Sequence, residues 1–294
     1  MKILWLTNVD PNVAEDMLIL GLAELEHDIE VHPWKPSFSW VADPNTQGGN
    51  DLSCSLSTFP RRTVNKPDVI VVTRADRTEV VHQTLDEYHG VPVVYYDTED
   101  KLVEPTQALK ERISAYFAAQ TPIERNDIIA LPYGYRADLV QPHKVQRSVN
   151  VSWGGTLQIG HGGRWELLGK AISLGLIQAT LSACPASMWY KLGSHSRASI
   201  SIGGAQNEIA GVNARHFEIA ALGARVLSYR HGIRIETEIS EIEFFSTADE
   251  LIELCRRDRE PLSEEVVRWN RRFNSHTARA EQFVHCLKDR GIPC

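Results

Sequence analysis

Apolar and polar positions alternate along the chain in two periods, near two and near 3.6, so short buried strands trade places with amphipathic helices. Residues 2–7 (Lys-Ile-Leu-Trp-Leu-Thr) predict a first strand, and Met17, Leu18, Leu20, Gly21, Leu22 and Leu25 predict a helix after the polar stretch 8–12. Ile29–His32 predicts a second strand. Residues 33–65, rich in Pro, Ser, Gly and Asn, predict a long loop with at most one short helix, a length that is commonly functional. A strand over Asp68–Val72, a helix near 78–88 and a strand over Val91–Tyr96 follow, the last running into Asp97-Thr98-Glu99-Asp100. A helix near 105–118, a short strand at Ile128–Leu131 and the turn Pro132-Tyr133-Gly134-Tyr135 complete this half. Strands alternating with helices predict a parallel sheet with right-handed crossovers.

The polar stretch 137–149, with Pro142, reads as a linker, after which the pattern restarts. Asn150–Trp153 predicts a strand that enters Gly154-Gly155-Thr156, and Gly160-His161-Gly162-Gly163-Arg164 precedes a helix over 165–174. Ser199–Ile202 predicts a strand, Asn213–Leu222 a helix closed by Gly223, and Arg225–Tyr229 the next strand. Helices over 247–256, 263–273 and 276–289 end the chain. The fold class is therefore α/β, in two halves: a domain over 1–142, a second over 143–274, and a C-terminal helix over 275–294.

Composition narrows the class. The 294 residues are 43% apolar and 23% charged, as in a soluble globular protein with a sizeable core. No apolar run approaches the roughly 18 residues of a membrane span, and the start reads as a strand, not a signal peptide. Cysteines at 54, 184, 255, 286 and 294 are odd in number and form no C-x-x-C pair, which points to a reducing, cytoplasmic setting without structural zinc. Residues 1–148 hold 14 Lys+Arg against 22 Asp+Glu, a balance of −8, whereas 149–294 hold 17 against 16, a balance of +1. Net charge thus gives no basic stripe for nucleic-acid phosphates.

Two patterns carry chemistry. A strand, then glycines, then a helix over 150–174 lets backbone N–H groups and a helix N-terminus approach a phosphate, with His161 and Arg164 as diphosphate partners. The G-x-G-x-x-G spacing is absent, and an ordinary turn would use the same glycines. In the second pattern Asn213 is an N-cap, and Arg215 and Glu218, three apart, share a helix face. A carboxylate there suits a ribose diol and a cation suits phosphate; the spacing equally suits an intrahelical ion pair worth a few tenths of a kcal/mol, ~0.3–0.5.

The run Arg215-His216-Phe217-Glu218-Ile219-Ala220-Ala221-Leu222-Gly223-Ala224-Arg225-Val226-Leu227 resembles the R-x-F-E-x-x-A-x-G-x-x-x-L signature of the glycosyltransferase group that includes the spore-maturation CgeB-like proteins. Ile242–Phe245 with Ala248–Ile252 is similar to that family's f-x-d-x-x-E-L segment. His276–Gln282 resembles its closing H-T-x-x-x-R-A helix, two residues shorter. Val151–Gly155 resembles its v-x-F-x-G strand, and Leu131–Tyr135 its l-P-x-G-x-d turn. Residues 1–125 match only in general layout. The resemblance implies a GT-B fold, two Rossmann-like domains facing across a cleft, in a hexosyl- or pentosyltransferase whose second domain binds a nucleoside-diphosphate sugar and whose first binds an acceptor. It implies Glu218 on the ribose hydroxyls, Arg215 on the diphosphate, and backbone approach at Gly154 and Gly155, with no bound metal or other cofactor. Many retaining group-1 enzymes of this fold carry a second, earlier glutamate, separated from the first by seven residues; that position here is Ala210, and the nearest carboxylate is Glu208, so retention and inversion both stay open.

An inverting reaction needs a base for the acceptor hydroxyl. The strand ends of the first half offer Asp10, His32, Asp97 and Asp100, although Asp10 precedes a proline in a turn and 97–100 could equally form a helix N-cap. The acceptor stays open among a small molecule, a glycan, a protein side chain and a modified base in DNA. Two rivals remain: a non-catalytic nucleotide-sugar-binding protein of the same fold, and an enzyme of the same architecture that epimerises nucleotide-sugars.

Overall fold

The buried apolar runs form two parallel sheets. In the computed structural model the described residues are 1–7, 13–33, 64–73, 79–98, 102–119, 125–141, 145–155, 163–180, 186–202, 214–230 and 241–294. Along the chain the elements run β1 (Lys2–Thr7), α1 (Val13–Glu24), β2 (Asp28–Pro33), β3 (Val69–Val72), α2 (Glu79–Glu87), β4 (Val93–Asp97), α3 (Gln107–Lys110), β5 (Ile113–Ala118) and β6 (Ile129–Ala130). They continue as β7 (Val149–Gly154), α4 (Arg164–Ser173), β8 (Gln178–Thr180), α5 (Ala186–Ser194), β9 (Ser196–Ser201), α6 (Ala214–Ala221), β10 (Arg225–Tyr229), β11 (Ile242–Phe245), α7 (Ala248–Arg256), α8 (Glu264–Asn274) and α9 (His276–Asp289). The described residues before Tyr135, together with 276–294, make one unit, and those of 135–275 make the other.

In the first unit the strand order is β2-β1-β3-β4-β5-β6, with each neighbouring pair parallel. All four residues of β3, Val-Ile-Val-Val, are buried, as a strand covered on both faces requires. The helix expected over 105–118 is instead one turn, α3, capped by Thr106, followed by β5. Ile113, Tyr116 and Phe117 are β-branched or aromatic; in the strand paired with β4 and β6, Tyr116 and Phe117 are buried and Ile113 half-buried. The helix α9 closes this unit. A Cβ on Gly21 of α1 would stand 2.3 Å from the His276 carbonyl oxygen, so only glycine allows the two helices to meet there. Thr277 Oγ1 donates to Glu24 at 2.7 Å, and the Phe283 ring lies 4.9 Å from that of Phe117.

The second unit orders its strands β11-β10-β9-β7-β8, again with parallel pairs. Val151, Trp153, Leu168, Ile200, Leu227, Phe245 and Leu251 form its core. β8 and α5 have no counterpart in the sequence pattern. Residues 137–149 are anchored where they are described. Val140 is fully buried. Arg147 donates to the carbonyls of Leu222 at 2.7 Å and of Gly193 at 3.4 Å, and also to that of Ser196. These carbonyls lie at or just beyond the C-terminal ends of α5 and α6, where the helix dipole favours a cation. Gly223, with φ +79°, ends α6, and its missing Cβ leaves room for the Arg147 guanidinium.

Candidate functional site

The site grows from the first turns of α6, which follow β9 at the C-terminal edge of the parallel sheet, where α/β proteins take ligands. His216, buried on α6, pins this turn to two strands. Its Nδ1 lies 3.1 Å from Ser201 Oγ on β9, and its Nε2 lies 2.9 Å from Ser228 Oγ on β10. From the other side, Asn270 of α8 donates to the Phe217 carbonyl at 3.0 Å. These anchors fix where the flanking charges, Arg215 and Glu218, point.

Glu218 is only 6% exposed. The Tyr190 hydroxyl, on α5, donates to its Oε1 at 3.1 Å. Burial pushes the Glu218 carboxyl above its ordinary value, while the Arg215 charge and the Tyr190 and Trp189 side chains pull the other way. The Tyr190 phenol is pushed up in turn by burial and by the Glu218 charge. Trp189 lies under Arg215, whose guanidinium carbon stands 4.7 Å from the centre of the indole. The same indole rests on Gly154 at the end of β7: a Cβ there would come within 2.3 Å of the ring.

The structure therefore brings together Gly154, Arg215 and Glu218, joined by two residues that the sequence pattern did not single out, Trp189 and Tyr190. Gly154 has a second reason to be glycine, since the indole fills the space of its side chain. Gly155 follows it, and a Cβ there would lie 2.7 Å from the Trp153 ring. Arg164 is half-buried at the first position of α4, after Gly163 with φ +73°. His161 and Asn213 lie outside the described residues, as do Asp10, Asp100, Glu208 and Ala210 and most of the 33–65 stretch.

Of the expected bases that are described, Asp97 is buried at the end of β4, and its Oδ2 accepts the Val103 N–H at 2.5 Å. His32 is exposed on the edge strand β2 and pairs with Glu30 at 2.5 Å. The strand ends of the first unit also hold a carboxylate absent from the sequence expectations: Glu15 of α1, with 0% exposure. Its Oε2 accepts the Thr7 hydroxyl, and its Oε1 accepts the Thr98 hydroxyl at 3.3 Å. An acid on the same helix as the buried Leu18, Ile19 and Leu22 was the signal for it. Among the described residues no cluster of three His, Cys, Asp or Glu side chains is arranged to hold a metal ion. No helix among them is long and apolar enough to cross a membrane.

No protein-family model matches the chain, and no curated protein sequence matches it. Solved structures do. AviGT4, a glycosyltransferase involved in avilamycin A biosynthesis, is similar at TM-score 0.56 and 15% identity, covering 97% of this chain and 96% of its own. A sucrose-phosphate synthase from Thermosynechococcus elongatus is similar at TM-score 0.58 and 10% identity, covering 98% of each chain. A DNA-modifying β-glucosyltransferase, solved with and without its substrate uridine diphosphoglucose, is similar at TM-score 0.51 and 14% identity, covering 99% of this chain and 100% of its own. At these identities the likeness shows the fold: α/β with two parallel-sheet domains, the GT-B architecture of glycosyltransferases.

Proposed function

We propose that this chain is a glycosyltransferase that moves a hexosyl or pentosyl group from a nucleoside-diphosphate sugar to a hydroxyl-bearing acceptor. One observation carries the reading: Glu218 and Arg215 stand together at the start of α6, the carboxylate buried and held by the Tyr190 phenol. A buried carboxylate is costly unless it is paired, and such groups gather at functional sites. The full-length likeness to GT-B structures supports the same reading, as does the resemblance of the run from Arg215 to Leu227 to the CgeB-like group.

In this reading the second unit binds the donor. Glu218 accepts hydrogen bonds from the ribose hydroxyls, and Arg215 neutralises the diphosphate. The backbone at Gly154 and Gly155 approaches the phosphates, and His161, Arg164 and Asn213 are the further donor-binding candidates. As the glycosidic bond breaks, charge develops on the leaving diphosphate, and fixed cations with a helix N-terminus stabilise it without a metal. The first unit takes the acceptor. Asp10, Asp97 and Asp100 are the candidates for the base that removes the acceptor proton. The unpaired cysteine pattern suits a cytoplasmic enzyme.

The test is incubation with UDP-, ADP- and GDP-linked sugars without acceptor, followed by assay of the released nucleoside diphosphate. Slow release from one donor, lost in Glu218→Gln, is the expected result. Calorimetry showing that none of these donors binds would overturn the reading.

A further inference from the structure

Two neighbouring residues of α5 touch the two charged groups of the donor site. Trp189 is sandwiched, with Gly154 against one part of its ring and the Arg215 guanidinium over it at 4.7 Å. Tyr190 is buried, and its hydroxyl donates to Glu218 Oε1 at 3.1 Å. Trp189 is buried too, although Met188 beside it is exposed, so the helix spends its inward face on these two rings. An arginine side chain free in solution samples many rotamers, and a flat aromatic face removes much of that freedom. A phenol that donates to one carboxylate oxygen helps to fix the plane of the carboxylate.

We infer that Trp189 and Tyr190 are positioning residues: Trp189 aims Arg215 at the donor diphosphate, and Tyr190 aims Glu218 at the ribose. This rests on the donor site proposed above. The arrangement has Trp189 stacked on Arg215 and Tyr190 donating to Glu218, with the indole lying beside the Glu218 carboxylate as well. It also gives Gly154 its role: the glycine sets how deep the indole sits, and so the height of Arg215 above the sheet.

The experiment is calorimetric titration of wild type, Trp189→Leu, Trp189→Phe and Tyr190→Phe, each checked for native circular dichroism. The probes are UDP, ADP and GDP, and for the tightest of them the corresponding monophosphate and 2′,3′-dideoxy diphosphate. Trp189→Leu should weaken diphosphate binding about tenfold, the span expected for a desolvated cation–π contact, and should reduce the preference for diphosphate over monophosphate. Trp189→Phe, which retains an aromatic face, should restore most of that preference. Tyr190→Phe should leave the preference for diphosphate intact and narrow the preference for ribose over dideoxyribose. If Trp189→Leu does not fold, Trp189→Met substitutes for it. Wild-type preferences in folded variants, or equal loss for every ligand, would overturn the inference alone. Failure of the wild type to bind any of the three diphosphates would overturn the donor site itself.

Discussion

The Tyr190 hydroxyl stands 3.1 Å from Glu218 Oε1, inside a site where the carboxylate has almost no access to water. Glu218→Gln retains the shape and an acceptor for the phenol but removes the charge. Hydrogen bonds to a charged acceptor contribute about 1.5–3 kcal/mol, so nucleoside-diphosphate affinity should fall about tenfold or more. Stability should move the other way. Because burial raises the Glu218 pKa in the folded protein, its contribution to stability is present below the unfolded pKa and lost as pH rises through the folded one. At neutral pH, above the ordinary glutamate range, the buried side chain therefore costs stability, and the Gln variant should melt at or above the wild-type temperature. A drop in Tm beyond about 4 °C would contradict this.

The same shift sets a pH dependence for the ligand. If the ribose needs the carboxylate, affinity should decline on acidification beginning above the ordinary range for glutamate, because the folded Glu218 binds its proton early. Titrations between about pH 5 and 8 should show this decline in wild type and not in Glu218→Gln, whose difference from wild type cancels ionisation of the diphosphate itself.

Gly154→Ala should harm both the fold and the site. Its Cβ would meet the Trp189 ring at 2.3 Å, and overpacking of this kind costs about 1–3 kcal/mol. Urea unfolding should show the loss, and donor affinity should fall with it as the indole and Arg215 are displaced.

Arg147→Met should destabilise the second unit without touching the donor charges. It leaves the Leu222, Gly193 and Ser196 carbonyls without their guanidinium, and an orphaned buried acceptor costs about 1–3 kcal/mol. A lower unfolding midpoint with unchanged affinity in the protein that remains folded is the expected pairing.

Removal of divalent metal should leave donor binding intact. EDTA-treated protein should titrate with the nucleoside diphosphate as untreated protein does, since in the proposed donor site Arg215 takes the place of a metal at the phosphates. Loss on EDTA and recovery with magnesium would reject that account.

Much of the architecture is legible in the hydrophobic pattern. β1 and β10 begin and end where their apolar runs do, and α9 covers the predicted 276–289. Elsewhere the pattern is silent or misleading for identifiable reasons. Ile113–Ala118 follows a genuine helical turn, and only its slot between β4 and β6 decides that it is a strand. α5 is short, and its two decisive residues, Trp189 and Tyr190, are adjacent, so no helical period marks them. The site was half legible. The spacing of Arg215 and Glu218 shows that they share a face, but not whether that face meets water. Burial of His216 through Glu218 depends on Ser201, Ser228 and Asn270, partners distant in sequence that take up the polar groups.

The dependence of the first unit on α9 has a consequence for biosynthesis. Phe117 and the Gly21 face of α1 find their partners in Phe283 and His276, which leave the ribosome only after all of 135–275 has been made. Domains generally fold as units in the order of their synthesis. Here the segment translated first must wait, its seam open, while the segment translated second can already close. Nascent chains arrested before residue 276 should therefore hold a protease-resistant second unit beside a first unit that is still cleaved, and that order should invert the usual N-to-C sequence of maturation.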